Sequence, residues 1–239
     1  MTALLDELIA AHGGLPRWNE LDRVSARLVQ GGALWAIKGQ RGVLDEVYAR
    51  VSLHEARESH HPFGADDRRS SFTPVQVAVE STRGEIIERA ENPRSSFDGH
   101  TLQTPWTRLQ LAYFVGYAMW NYLTQPFTFA LDGFETSQLD TWQVQSEEWR
   151  RLRVVWPEYL ATHTAEQTIY VGNDGLIRRH DYEVDILGGA GGAHFLSDYT
   201  EVAGIKVPTK HRIFPRESPG GTPLTPLLIS IDVSEITFT

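Results

Sequence analysis

The sequence predicts an α+β protein in which a curved, mostly antiparallel β-sheet, a half-barrel or open barrel, wraps around a central plug helix, with a short helix at the N-terminus. Apolar and polar residues alternate in separate segments on both sides of one long, uncharged helical segment. Strands and helices do not alternate regularly and no internal repeat occurs, which disfavours a parallel dinucleotide-binding sheet. We therefore expect residues 1–239 to form a single domain of this kind.

Composition narrows the function classes. Of the 239 residues, 41% are hydrophobic and 22% charged, the balance of an ordinary globular protein. The net charge of −9, without a run of basic residues, predicts no nucleic-acid partner. The absence of cysteine excludes disulfides, thiolate metal sites and a cysteine nucleophile. The first residues lack the basic and long apolar segments of a signal peptide, so we expect a cytoplasmic location.

The N-terminal residues 2–11 predict a short amphipathic helix. Thr2 can cap its start, and Gly13 with Gly14 can end it. The apolar face comprises Leu4, Leu5, Leu8 and Ile9. His12 then lies at the C-terminal end of the helix, where a structural capping role is favoured over a catalytic one.

Alternation predicts the first strands. Residues 23–28 and 47–53 each place apolar side chains at every second position. Residues 75–79 and 85–88 predict a hairpin, because the turn-forming segment 81–84 separates them.

Between these strands, the polar segment 59–71 predicts a loop. It contains His60 and His61, which could in principle bind a metal. No third ligand lies at a familiar spacing, so we expect both histidines to be solvated.

The start and end of the long helix are marked by their own residues. Thr104 followed by Pro105 predicts an N-cap and a first helical position. The helix is expected to run to Leu123 or Thr124, because Pro126 cannot continue it.

No charge occurs from Leu109 to Leu131, as in a membrane-spanning segment. Gln110, Asn121 and Pro126 would be costly or unusual in hydrocarbon, so we expect no stable membrane insertion. A helix that is apolar nearly all round is instead buried on nearly all sides. Within it, Gly116 would allow another element to approach closely.

Strands follow the long helix. The segment Asn173–Gly175 is a strong hairpin turn between two of them. The predicted strands are 149–156, 167–171, 176–187, 205–214 and 227–238.

Four segments resemble one superfamily. They are A-H-G-G at 11–14, W-R-R-L-R-V-V-W-P at Trp149–Pro157, Y-V-G-N-D-G-L-I-R-R-H-D-Y at Tyr170–Tyr182 and Y-T-E-V-A-G-I-K-V-P-T-K at Tyr199–Lys210. In this order they resemble the lipoprotein-localisation-factor (Lol-type) half-barrel superfamily. The resemblance implies a curved antiparallel sheet around a helical plug, with an apolar cavity for lipid-like ligands. Familiar members are exported, whereas this chain shows neither a signal peptide nor a lipobox cysteine, so we expect a cytoplasmic branch.

Alternation also selects candidate site residues in the segment 176–187. The water-facing side is predicted to comprise Arg179, Asp181, Glu183 and Asp185. Arg178, His180 and Tyr182 then face the interior. In a later strand the same reasoning sends His211 inward, so His180 and His211 are expected to share one interior.

The long helix supplies a second set of candidates. Tyr113, Tyr117, Trp120, Asn121 and Tyr122 combine aromatic surface with polar groups that need partners when buried. Aromatic walls with a few convergent polar groups are typical of small-molecule pockets. A satisfied, purely structural network is the alternative for both sets.

Two functional hypotheses follow. The first is binding of a hydrophobic small molecule, lipid-like, isoprenoid or aromatic, in an aromatic-lined cavity between sheet and plug helix. The alternative is a cofactor-independent isomerase, cyclase or lyase in the same cavity. There His180 or His211 would act as the base, Arg178 would hold an anion, and Tyr182 would assist.

Other partners are less favoured. A metal would need a third ligand besides His180 and His211, and His194 is the nearest candidate. The glycine-rich segment 188–192 lacks the spacing of a phosphate loop. We therefore predict no metal and no cofactor. A protein-interaction module is the least supported class, and the sequence determines neither the ligand nor the oligomeric state.

Overall fold

One antiparallel sheet contains all the strands that the structure describes. The structure is a computed structural model that describes residues 2–144, 147–218 and 220–239. Its helices are α1 (Ala3–Ala11), α2 (Leu15–Trp18), α3 (Leu34–Ile37) and α4 (Arg108–Thr124). Its strands are β1 (Arg23–Gly31), β2 (Glu46–Ser52), β3 (Glu58–His61), β4 (Arg68–Thr73), β5 (Gln76–Ser81), β6 (Ile86–Glu91), β7 (Glu135–Val144), β8 (Glu147–Val155), β9 (Glu166–Val171), β10 (Ile177–Val184), β11 (Ala190–Val202), β12 (Ile205–Arg216) and β13 (Ile229–Phe238).

The strand order shows how the sheet is assembled. It runs β6-β5-β4-β3-β2-β1-β13-β12-β11-β10-β9-β8-β7. Strands that follow each other in sequence pair with each other, except that β6 and β7 form the two edges, and β1 pairs with β13. This pairing joins the N-terminal and C-terminal halves of the sheet. The sheet is curved and unclosed, with α4 packed against it, which confirms the predicted fold class.

The N-terminal helix forms as predicted. The Thr2 side chain accepts a hydrogen bond from the Leu5 amide at 3.3 Å. The chain then turns through Gly13 and Gly14, whose φ angles are +127° and +81°. His12 is buried at the C-cap, and its Nδ1 lies 2.8 Å from the Leu8 carbonyl oxygen. The predicted capping position of His12 is confirmed.

Helix α4 begins three residues later than predicted. Thr107, not Thr104, is its N-cap, and it forms a reciprocal capping box with Gln110. Thr104 instead accepts a hydrogen bond from the Thr101 amide at 3.0 Å, so its hydroxyl is used in the turn that precedes the helix. The predicted end is confirmed, since Gln125 is the C-cap before Pro126. All residues from 110 to 124 are buried, which accounts for the lack of charge.

No helix in the described part of the chain is long and apolar enough to cross a membrane.

The predicted loop at 59–71 is wrong at both of its ends, which belong to β3 and β4, whereas residues 62–67 between these strands form a loop as predicted. Alternation failed there because the inward positions include the polar residues Glu58, His60 and Ser70. His60 is fully buried, with Nδ1 2.7 Å from a Glu58 carboxyl oxygen, whereas His61 is half-buried. The solvated state predicted for His60 is therefore also wrong.

Helix α4 packs closely on β4 at Gly116. A Cβ atom built on Gly116 would lie 2.4 Å from the Phe72 ring, well inside van der Waals contact. The lack of a side chain therefore sets the separation between the helix and this strand. The close approach that Gly116 was predicted to allow is present.

We expect Gly116→Ala to destabilise the protein, although alanine favours helix by about 1 kcal/mol. Overpacking against Phe72 costs about 1–3 kcal/mol, so the midpoint of urea denaturation should fall. In a Phe72→Leu background the same substitution should cost less, because the ring that it meets is gone. A higher midpoint for Gly116→Ala in the native background would contradict this packing.

Candidate functional site

Strand β10 carries the predicted interior residues, but a bulge changes which way one of them faces. The pairing with β9 shifts between Ile177 and Arg179. Ile177 is consequently buried in the core, and Arg178 is half-buried and forms an ion pair with Asp174 at 2.5 Å. The prediction that Arg178 faces the interior is wrong, since a bulge inserts one residue and reverses the alternation.

The opposite face of β10 is not water-facing as predicted. The Arg179 guanidinium donates to both Asp181 carboxylate oxygens, at 2.6 and 2.9 Å. The Tyr170 hydroxyl and the Gly220 amide also donate to Asp181, at 3.1 and 2.9 Å. Arg179 and Asp181 are buried because the chain around Gly220 returns over this face. Of the other two residues of this predicted set, Glu183 is half-buried and Asp185 is exposed.

On the inner face, the sheet brings three histidines together. His180 of β10 lies directly across from His194 of β11, with ring centroids 6.2 Å apart. His194 Nε2 in turn lies 2.9 Å from Nδ1 of His211, on β12. His180 Nε2 lies 2.6 Å from the Gln167 side-chain oxygen. His180 and His211 therefore share one interior, with His194 between them.

Helix α4 reaches this interior through two tyrosines. The Tyr122 hydroxyl lies 2.8 Å from His163 Nε2 and 2.8 Å from the Tyr182 hydroxyl. The Tyr117 hydroxyl lies 3.1 Å from His163 Nδ1. These contacts make one chain of hydrogen bonds from Tyr117 through His163 and Tyr122 to Tyr182.

The tyrosine and histidine side chains also pack face to face. The His163 ring stacks on the Tyr182 ring, with centroids 4.1 Å apart. The Tyr122 ring lies 4.4 Å from His194 and stacks on His211 at 5.8 Å. We call these residues the histidine–tyrosine cluster: His163, His180, His194, His211, Tyr117, Tyr122 and Tyr182. All seven are buried.

Asn121 lies at the border of the cluster. Its amide nitrogen lies 3.2 Å from the Thr162 hydroxyl and 3.4 Å from the Ala161 carbonyl oxygen. The Gln167 amide donates to the same Thr162 hydroxyl at 2.6 Å. Because Gln167 also contacts His180, Asn121 is connected to the cluster through Thr162 and Gln167.

Tyr113 and Trp120 lie on other faces of α4. The Trp120 indole donates to the Ser52 carbonyl oxygen at 2.9 Å, on the β2 side. The Tyr113 ring packs against Phe72 and Phe97, with centroids 5.8 and 5.7 Å apart. The five helix residues predicted to bind a ligand therefore do not share one surface.

A small cavity lies beside the cluster. Its volume is about 30 Å³, roughly the space of one water molecule. Its apolar wall includes Leu34, Leu102, Phe114, Leu187, Leu228 and Ile229. Among the described residues, the polar side chains of the wall are His163 and Tyr182. This space is too small for a molecule of lipid size.

Burial keeps the cluster neutral. Loss of hydration lowers the pKa of His180 to about 3 and that of His211 to about 4. It also holds the pKa of His163 and of His194 well below the ordinary range. Burial raises the pKa of Tyr182. At neutral pH these side chains form hydrogen bonds without carrying charge.

The acid–base hypothesis is weakened by this arrangement. Histidines with such a low pKa are poor bases near neutrality, and Arg178 lies outside the cluster.

Buried nitrogens of His180, His194 and His211 have no hydrogen-bond partner within the described residues. No group of three or more metal-binding side chains occurs in residues 2–144, 147–218 and 220–239.

Sequence reasoning missed His163 and Gln167. His163 precedes β9 in an irregular segment, where no alternation indicates which side chains face inward. Gln167 was placed in a strand, but its role depends on its contacts with His180 and Thr162.

No protein-family model and no curated protein sequence matches the chain. Among solved structures, a LolA superfamily protein from Nitrosomonas europaea matches with a TM-score of 0.53 and 10% identity, covering 99% of this chain and 92% of that one. The chain has a LolA-like fold. A domain from Vibrio parahaemolyticus, named for outer-membrane lipoprotein sorting, matches with a TM-score of 0.52 and 9% identity, covering 98% and 90%. The resemblance stated from the sequence is thus confirmed for the LolA-like fold.

We expect Tyr122→Phe to lower the free energy of unfolding by about 1–3 kcal/mol, because it leaves buried groups of His163 and Tyr182 without their shared partner. Tyr159→Phe is the matched control, since that tyrosine is 59% exposed and donates to a surface carbonyl oxygen. It should change stability by less than about 0.5 kcal/mol. Equal effects of the two substitutions in urea denaturation would contradict the importance of the cluster.

We further expect stability to fall as the pH drops below 6.5, the ordinary histidine pKa. The unfolded chain then takes up protons that the folded chain, with pKa values of about 3 for His180 and about 4 for His211, does not. The slope that each such histidine contributes grows as the pH falls through this window and approaches about 1.4 kcal/mol per pH unit near pH 5. Urea denaturation between pH 6.5 and 5 measures this slope, and His180→Gln should reduce it. An unchanged slope in that variant would show that His180 does not contribute.

Proposed function

We propose that the protein binds a hydrophobic small molecule, lipid-like, isoprenoid or aromatic, between α4 and the sheet. The observation that carries the proposal is the small apolar cavity bordered by the cluster: apolar side chains form nearly all of its wall, and His163 and Tyr182 are the polar side chains among the described lining residues. A ligand of this kind requires the wall to move outward, because the cavity is of water size.

Part of that wall lies outside the sheet. Leu102 lies on the segment before α4, outside the strands. Three hydrogen bonds hold this segment: the Lys38 ammonium group donates to the carbonyl oxygens of Thr101, Leu102 and Thr104, at 3.0, 2.8 and 3.0 Å. On the opposite side, Gly192 belongs to β11, which is paired along its length with β12. Enlargement on the Leu102 side would break hydrogen bonds of Lys38 and leave the pairing of the strands intact.

The similarity of fold to the Vibrio domain also supports binding of a hydrophobic molecule. Sorting of a lipoprotein, for which that domain is named, requires acyl chains to be covered from water. An identity of 9% is too low to assign the ligand of that domain to this chain.

The cytoplasmic location stays a prediction, and cell fractionation with an antibody to the protein tests it.

The direct test is native mass spectrometry of the gently purified protein, together with titration of the hydrophobic fluorescent reporter N-phenyl-1-naphthylamine. Ala190 lines the cavity, so Ala190→Leu should fill it and weaken reporter binding by about tenfold or more. Ala36 is half-buried on α3 and is not part of the cavity wall, so Ala36→Leu is the matched control and should bind the reporter as the native chain does. Absence of both a co-purified ligand and reporter binding would refute the proposal. Equal binding by the two variants would place the ligand elsewhere.

A further inference from the structure

The polar groups of the cavity wall restrict the chemistry of what it can hold. Among the described residues that line it, none carries a charge, and the two polar side chains are His163 and Tyr182. An ionised carboxylate or phosphate moved into such surroundings would lose its hydration without gaining a cationic partner. The wall therefore favours a neutral ligand.

His163 cannot supply the contact with a ligand. Its Nδ1 is bonded to the Tyr117 hydroxyl and its Nε2 to the Tyr122 hydroxyl. A neutral imidazole has one N–H donor and one acceptor nitrogen, and both are used. The polar group that remains for a ligand is the hydroxyl of Tyr182.

Two directions of donation are possible along the chain of hydrogen bonds. In one, Tyr117 donates to His163, His163 to Tyr122, and Tyr122 to Tyr182, so the O–H of Tyr182 is left to donate. In the other, every bond is reversed and the O–H of Tyr117 is left over. Tyr117 does not line the cavity, whereas Tyr182 does. Only the first direction places the remaining donor where a ligand can accept from it.

The position of the Tyr182 ring is fixed. It stacks on His163 at 4.1 Å and lies over Gly192, where a Cβ atom would stand 2.8 Å from the ring. The hydroxyl therefore cannot swing away to find another acceptor.

We infer that the ligand is a neutral hydrophobic molecule carrying an oxygen acceptor, such as a ketone, ester or alcohol, and that this oxygen accepts a hydrogen bond from the Tyr182 hydroxyl. This inference rests on the proposed function, whose cavity it uses. It excludes ionised fatty acids as the preferred class and gives hydrocarbons without oxygen a lower affinity.

The test uses three eleven-carbon probes, 2-undecanone, undecanoate and undecane, each displacing N-phenyl-1-naphthylamine at neutral pH. We expect 2-undecanone to bind most tightly, about tenfold more tightly than undecanoate. Tyr182→Phe should weaken 2-undecanone about threefold to tenfold, the worth of one hydrogen bond, and leave undecane unchanged. Tyr199→Phe is the control, because that hydroxyl donates to the Ile177 carbonyl oxygen at 2.8 Å and does not line the cavity. It should leave all three affinities unchanged.

The outcomes separate the two proposals. Tightest binding of undecanoate, or equal weakening of 2-undecanone and undecane by Tyr182→Phe, would overturn the inference and leave the ligand site in place. Unchanged undecane binding shows that the Tyr182→Phe protein is folded. Failure of the native chain to bind the reporter or any probe would refute the proposed function, and the inference with it.

Discussion

The arrangement of the interior depends on the two hydrogen bonds that the Tyr122 hydroxyl forms with His163 and Tyr182. Helix α4 is buried and uncharged from Gln110 to Thr124, and only the close packing of Gly116 on Phe72 marks one of its faces for a particular neighbour by shape. The hydroxyl meets His163 and Tyr182 at 2.8 Å each, and its ring covers His194 and His211. A rotation by one residue, about 100°, would break these contacts together and leave buried polar groups unpaired. Directional hydrogen bonds thus act together with the packing of Gly116 on Phe72 to select one orientation of the helix.

The same constraint explains why the cluster carries no charge. Each of its histidines and tyrosines is buried, and removal from water disfavours the charged form of either type. The interior can therefore use polar side chains for geometry without the cost of desolvating ions. The outer face of β10 differs, because Arg179 and Asp181 form a buried ion pair there. One strand separates a neutral network from an ionic one.

Whether a strand could be predicted from the sequence depended on whether its inward-facing side chains are apolar or polar. Where the inner face is apolar, as in β1 and β2, alternation located the strands. Where it is polar, as at Glu58 and His60 in β3, alternation gave no signal and a loop was predicted instead. Arg178 was misplaced because a bulge leaves no mark in the pattern.

The candidate site shows a second kind of limit. The sequence placed His180, Tyr182 and His211 on inward faces, since each lies in a strand whose other face is marked by charge. It could not show that His163 completes the cluster, because that residue reaches Tyr122 from an irregular segment remote in sequence. Asp181 was assigned to water because a strand does not reveal which later segment will cover it. Contacts between distant segments lie outside any local pattern.

The glycine-rich segment 188–192 connects these observations. It does not have the spacing of a phosphate loop, yet Gly192 has a steric reason to lack a side chain. Gly192 pairs across the ladder with Tyr182, whose ring occupies the space that a Cβ atom would need. That ring position lets the hydroxyl meet Tyr122 while the side chain still borders the cavity. The attachment of α4 to the sheet and the ligand contact that we propose for Tyr182 therefore both depend on one position where the sheet has no side chain.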